Sequence, residues 1–332
     1  MAETKKKLLN AAKVMLMFAL AAVLVYFAFR KVEWDAFLEG LAQTRWMWVA
    51  LFCIISVLAL VARAIRWREL LIPFDPSLTL RQIWDVNNVG NLACAVIPGS
   101  GELLRCGYVT SKRLEFDKSV GTMLCERLCD VAALVLLLII TILLQWGRIG
   151  DFLTEKIFVP MTQPRTLLII AAVIAAIVLF IVIVFRLKER SRLCGKIAAS
   201  ITRIGVGITA LAKCKNKLVV ILSTLFIWFM YVLMSYCIIK AMPAMDGLTL
   251  ADAVFFSMVG NIASVVPVPG GIGAYHYLVA AAVALFGPSR DMGLLFATLN
   301  HEIHAIIIIA LGLVSYFEMV RRKDLGARSV NK

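Results

Sequence analysis

The sequence predicts an all-α polytopic membrane protein with six transmembrane helices plus two re-entrant helical hairpins in an inverted repeat. Three observations predict it. Of the 332 residues, 61% are hydrophobic and only 17% charged, which leaves too little polar surface for a soluble chain of this length. Runs such as "VAALVLLLIITILL" and "TLLIIAAVIAAIVLFIVIVF" approach or reach the ~20 apolar residues that cross a hydrocarbon core. Finally, "VGNLACAVIPGSGELLR" at 89–105 is echoed 170 positions later by "VGNIASVVPVPGGIGAYH" at 259–276. Each interrupts apolar sequence with Asn, Pro and Gly.

The six predicted spans are about 12–30, 46–66, 119–145, 166–186, 217–240 and 291–320. The first is followed by "RKVEWD" and not by a small-residue cleavage site, so it reads as an uncleaved span and not as a signal peptide. The third and sixth exceed the usual length and are expected to tilt or project past the lipid. The first hairpin covers about 81–111 and the second about 249–286, each broken at its Pro-Gly. Their returning arms, 101–111 and 272–286, are only roughly 17–22 Å long at 1.5 Å per residue, too short to cross ~30 Å. Such broken backbone survives at membrane depth only beside protein or water. The stretch 187–217 is basic and amphipathic, as expected of a helix on an anionic leaflet. Trp34, Trp46, Trp48, Trp67 and Trp146 lie near span ends and read as interfacial anchors.

Charge predicts the orientation. With the N-terminus cytoplasmic and each hairpin returning to its own side, the cytoplasmic pieces hold 26 of the 35 Lys/Arg and the opposite side holds 8. That is the positive-inside pattern, expected of a bacterial-type cytoplasmic membrane with both termini cytoplasmic. The net charge of +14 is thereby accounted for without nucleic acid, which is not an expected partner. The chain reads as one integral membrane domain, 1–332, with half-repeats at 1–146 and 165–321. "LTL" at 78–80 and 248–250, and "VGN" with the following Ala, give seven identities at the offset of 170. Three crossings per half turn the second half upside down, so the hairpins should enter from opposite sides and meet near the midplane.

The candidate substrate-binding residues cluster around these breaks. Asn87 and Asn91 sit on the entering arm of the first hairpin, Gly99 and Gly101 at its break, and Glu102 and Arg105 one turn apart on its return. Asn261, Gly271, Gly273 and His276 occupy the corresponding region of the second. "CERLCD" puts Glu126, Arg127 and Asp130 about two turns into the third span. Each charge at depth costs about +2.5–3.5 kcal/mol on insertion scales, so it should face the interior and a partner. Substrate binding and a purely structural ion-pair network are both consistent with that pattern. On the final span "NHEIH" supplies Asn300, His301 and Glu302, with His304 three residues after His301. A zincin motif needs two His four apart, so no metal and no cofactor is expected. The stretch reads instead as a polar face lining a cavity, suited to carrying protons. The eight Cys show no closely spaced metal or redox pair.

"RAIRW", "PGSGELLR", "ERLCD" and "PVPGGIGAYH", in that order, resemble the lysylphosphatidylglycerol synthase transmembrane-region family, the flippase part of the multiple peptide resistance factor. The family's Pro-x-x-Gly-Glu-x-x-Arg motif falls on Pro98, Gly101, Glu102 and Arg105, and its Glu-Arg-x-x-Asp motif on Glu126, Arg127 and Asp130. Its Pro-Gly-Gly-x-Gly stretch falls on Pro269, Gly270, Gly271 and Gly273; many relatives carry an acid where His276 stands. The resemblance implies a lipid flippase moving an anionic phospholipid or lipid-linked intermediate, with membrane lipids as partners and a separate lipid-modifying enzyme as a further one. The soluble aminoacyl-transfer domain of the full factor has no counterpart here, so an enzyme is not expected. A membrane-embedded lipid or isoprenoid headgroup transferase and a non-transporting assembly factor are the alternative readings.

Overall fold

The computed structural model describes residues 32–155, 159–214, 216–266, 268 and 271–322, with residues 15, 22, 23, 25 and 26 of the first predicted span. The rest of that span, both terminal tails, and Pro269 and Gly270 of the second break lie outside the described residues. Among the described residues every regular element is helical. In chain order the main ones are α1 (Trp34–Ala42), α2 (Trp46–Leu71), α3 (Leu80–Val96), α4 (Ser100–Val109), α5 (Phe116–Leu153) and α6 (Pro164–Arg186). They continue as α7 (Arg192–Ile208), α8 (Lys217–Ala241), α9 (Leu250–Ala263), α10 (Ala274–Ala284) and α11 (Arg290–Arg321). Among the described residues four helices are long and apolar enough, by length and composition, to cross a membrane: α2, α5 over Phe116–Arg148, α8 and α11. The 23 residues of α6 would extend about 35 Å at helical rise.

The apolar core runs along α8, which packs on α2 and on α9. Phe256, Phe286 and Phe296 interlock edge to face there, with ring centroids 5.2 and 5.5 Å from Phe256. A second cluster gathers Trp67, Leu71, Ile83, Val109, Leu114 and Met319 around α3 and α4. The amphipathic α7 lies against α5, where Ser200 donates to Asp117 at 3.2 Å.

Both interruptions are built alike at their entrances. Thr79 caps α3 and Thr249 caps α9, each in a reciprocal capping box with the residue three positions on, Gln82 and Asp252. The repeated "LTL" is therefore a repeated helix start. The exit of α3 is fixed by Pro98, which has no N–H to continue the ladder, and by Gly99, whose φ of 77° is open to glycine. In the second interruption α9 stops at Ala263, and Gly271 and Gly273 turn the chain with φ of 73° and 89° before α10.

Polar links identify the two ends of the bundle. At one end Arg45 makes a two-pronged ion pair with Asp246 at 2.7 Å per bond, and Arg148 meets Asp252 at 3.0 Å. The end of α8 and the starts of α2, α9 and α11 all lie there. At the other end Ser111 donates to Asp75 at 2.8 Å, Arg81 meets Glu318 at 3.2 Å, and Arg322 pairs with Asp85. The α3–α4 unit starts and finishes at this second end, the α9–α10 unit at the first, and their breaks approach each other between.

Two expectations are corrected here. α2 runs to Leu71, so Arg63, Arg66 and Arg68, counted among the 26 basic residues of the cytoplasmic pieces, belong to a helix. Trp67 is fully buried, not interfacial, because its indole N–H reaches Thr122 at 3.2 Å and its ring stacks on a guanidinium.

Candidate functional site

Four arginines and three carboxylates meet where α2, α4 and α5 come together. Arg66, fully buried, bonds Glu126 Oε1 at 3.0 Å and both oxygens of Asp130 at 2.7 and 3.2 Å. Arg105 bonds Glu126 Oε2 at 2.6 Å and Glu102 Oε2 at 2.6 and 2.9 Å. Its remaining nitrogen donates to Asn87 Oδ1 at 3.2 Å, and its guanidinium carbon lies 4.4 Å from the centre of a Trp67 ring. Arg127 reaches Glu102 Oε1 at 3.0 Å and Asp130 Oδ2 at 3.5 Å. Glu126 thus bridges two guanidiniums at zero exposure, and Glu102 bridges two more contacts at the break itself. Charge-assisted forks of this kind are strong and directional.

The fourth arginine is different. Arg63, one turn before Arg66 on α2, makes no hydrogen bond or ion pair with any described residue, although Tyr231, Glu126, Arg105 and Glu102 act on it electrostatically. The cluster therefore carries one cation more than its carboxylates balance. The excess is near the centre of the bundle.

Beside this cluster lies a cavity of about 490 Å³ lined by both breaks: Pro98, Gly99 and Glu102 from one, Ser264, Val266, Val268 and Gly271 from the other. Asn91 on α3 and His301 and His304 on α11 complete its polar lining. Gly99 faces open space, whereas a Cβ on Gly271 would sit 3.2 Å from His301 Nε2. Gly101 serves another purpose than the close approach to a ligand that its place at the break suggests. A Cβ there would strike the Gly90 carbonyl, so it is the point at which α4 crosses α3. Gly273 is the residue preceding α10, and neither α4 nor α10 has a side chain capping its first N–H groups.

A second cavity, about 230 Å³, shares Ser264, His301 and His304 with the first and extends toward α8. Asn261 lines it and donates to the Ser257 carbonyl at 2.8 Å; Asn300 donates to Tyr275 Oη at 2.8 Å and Ser235 Oγ at 3.3 Å. Glu302 lies outside this lining, with Oε1 at 3.0 Å from His301 Nδ1 and 3.5 Å from His276 Nε2. His304 Nδ1 is 2.7 Å from Ser56 Oγ. All sixteen candidate residues are thus described, and they fall into three groups: the charge cluster, the two breaks, and the polar face of α9 to α11.

The family model described as the lysylphosphatidylglycerol synthase TM region matches residues 14–312. The chain belongs to this family. No curated protein and no solved structure matches it closely enough to count as similar. Membership in the lysylphosphatidylglycerol synthase TM-region family, together with the apolar helices, makes this a multi-pass membrane protein. The matched stretch takes in the whole charge cluster, both breaks and both cavities. Arg63 and Arg66 were the functional candidates that residue-by-residue reading missed. The available signal was two arginines spaced i, i+3 inside "LVARAIRW", a pattern that loads one helix face.

Proposed function

We propose that this protein moves an anionic phospholipid, or a lipid-linked intermediate, across a cytoplasmic membrane by way of the cavity between the two breaks. One observation carries the proposal: both interrupted helices open onto a single cavity beside a buried cluster with one uncompensated guanidinium, Arg63. In this reading the chain has six spans, and the two interrupted units are re-entrant hairpins entering from opposite faces as an inverted repeat. The half-helices α4 and α10 start at the cavity with uncapped N–H groups and the positive ends of their dipoles, an arrangement suited to a phosphate held midway. Arg63 supplies a planar fork to the same oxygens. Glu102 and Asp130 keep Arg105, Arg127 and Arg66 compensated when the site is empty. No bond is made or broken in this scheme, so the protein acts as a transporter and not as an enzyme.

Its orientation follows from basic residues concentrated at the end that holds Arg81, Arg113 and Arg322. Cysteines placed at Gly247 and Arg290 in a Cys-free background should label from outside intact cells, and one at Arg113 only after permeabilisation. Labelling of Gly247 and Arg290 from opposite sides would turn the second hairpin into a full span and remove the inverted repeat.

Reconstitution tests the function directly. Fluorescent phosphatidylglycerol should cross the bilayer of proteoliposomes much faster than that of protein-free vesicles. Arg63→Gln should slow it by about tenfold or more, the loss of roughly one charged hydrogen bond, with little change in melting temperature because Arg63 holds nothing else in place. Transfer no faster than in empty vesicles refutes the proposal. A paired Glu102→Gln, Arg105→Gln protein that is stable and fully active would instead mark the cluster as packing only.

A further inference from the structure

The smaller cavity specifies a headgroup. Its wall includes Tyr231, Ser235, Ser257, Asn261, Tyr275 and Asn300 with His301 and His304, and among the described residues no Asp, Glu, Lys or Arg lines it. Hydroxyls and carboxamides both donate and accept, which is the complement an alcohol requires; an ammonium is donor-only and needs an anion when taken out of water. Ser257 Oγ is buried, on a side chain only 3% exposed, and has no hydrogen-bond partner. A hydroxyl left in that state costs free energy until a ligand satisfies it. Glu302, next to His301 in sequence, turns to His301 and His276 and stays off the wall, and Glu102 lines the larger cavity only. Arg63, which acts electrostatically on His304 of the same wall, further disfavours a cationic occupant.

From this we infer that the transported lipid bears an uncharged polyol on its phosphodiester, such as a glycerol or a cyclitol, and not a cationic aminoacyl headgroup. The inference rests on the transport reading and names its substrate class. The volume agrees: at ~30 Å³ per water, 230 Å³ is the space of about eight waters, enough for a small polyol. The source is a lipid and not a free polyol phosphate, because the polar cavity shares Ser264, His301 and His304 with the larger one, whose remaining wall includes Val265, Val268 and Ile308. A polar chamber opening onto a larger, mostly apolar one that also holds Asn91 and Glu102 fits an amphiphile whose phosphate lies at the junction.

The test uses the full-length protein in vesicles containing traces of labelled phosphatidylglycerol, phosphatidylinositol and lysylphosphatidylglycerol. Phosphatidylglycerol and phosphatidylinositol should each cross at least about tenfold faster than the lysyl ester, the selectivity of a polar pocket for its own hydroxyl ligand. Asn261→Asp, which places a carboxylate on the wall, should narrow that ratio by about tenfold or reverse it. Ser257→Ala should slow phosphatidylglycerol a few-fold with an unchanged or raised melting temperature. Millimolar glycerol 3-phosphate should leave all rates unaltered. A lysyl ester moving as fast as phosphatidylglycerol overturns the headgroup inference and leaves transport intact, as does full inhibition by glycerol 3-phosphate. If none of the three lipids moves, the transport reading itself has failed.

Discussion

Glu126→Gln is expected to reduce the yield of folded protein severely and to abolish lipid transfer in what remains. Glu126 has no exposure and accepts from Arg66 on α2 at 3.0 Å and Arg105 on α4 at 2.6 Å. It is the only carboxylate of the cluster that joins those two helices through α5. A glutamine keeps the shape but removes the charge, and its amide nitrogen confronts one of the two guanidiniums as donor against donor. Breaking a buried pair from one side costs about 3–5 kcal/mol because a charge is left without compensation. Asp130→Asn should do less, since Asp130 is partly exposed and Arg66 keeps Glu126. Monodispersity and melting temperature in detergent, measured beside transport, check both. A Glu126→Gln protein that melts with the wild type would show that the network does not hold the three helices together.

Gly101→Ala should be nearly as damaging, although it adds one methyl group. The new carbon would overlap the Gly90 carbonyl oxygen, and would stand 2.6 Å from the carbonyl carbon and 2.9 Å from Cys94 Sγ. Two of these neighbours are backbone and cannot rotate away, so the cost should exceed the ~1–3 kcal/mol of ordinary overpacking. Forcing α4 from α3 also draws Arg105 away from Asn87, with which it shares a hydrogen bond of 3.2 Å. Gly107→Ala is the matched control: it lies in the same helix with nothing within 4 Å of its Cβ, and should gain about 0.5–1 kcal/mol. Equal melting temperatures for the two variants would remove the crossing as a constraint.

Much of the helical order was legible because Pro and Gly punctuate it. The break expected around Pro98 separates Val96 from Ser100, and the one expected before Gly273 separates Ala263 from Ala274. The paired capping boxes were present in the sequence as "LTL" but read only as identities. The arginines of α2 were not legible as buried groups. Hydropathy counts a charge against burial, and the partners that reverse the balance are remote: Glu126 is 60 positions and Thr224 158 positions from Arg66. The same distance effect hid Gly101, whose constraint comes from a glycine on a different helix. Adjacent features such as Glu102 and Arg105 were visible because their partner is one turn away.

The separation of Arg66 from its acids also sets a schedule for making the protein. α2 leaves the ribosome carrying the guanidiniums of Arg63 and Arg66, and the carboxylates that neutralise Arg66 follow about sixty residues later. At ~5–20 residues per second that interval lasts about 3–12 s. During it, α2 has no protein partner for those charges, and immersion in lipid is opposed by each of them. The nascent helix must therefore wait at the insertion machinery or at the headgroup layer until α5 arrives, and chains stopped short of Glu126 should present α2 as an unfinished segment to membrane quality control.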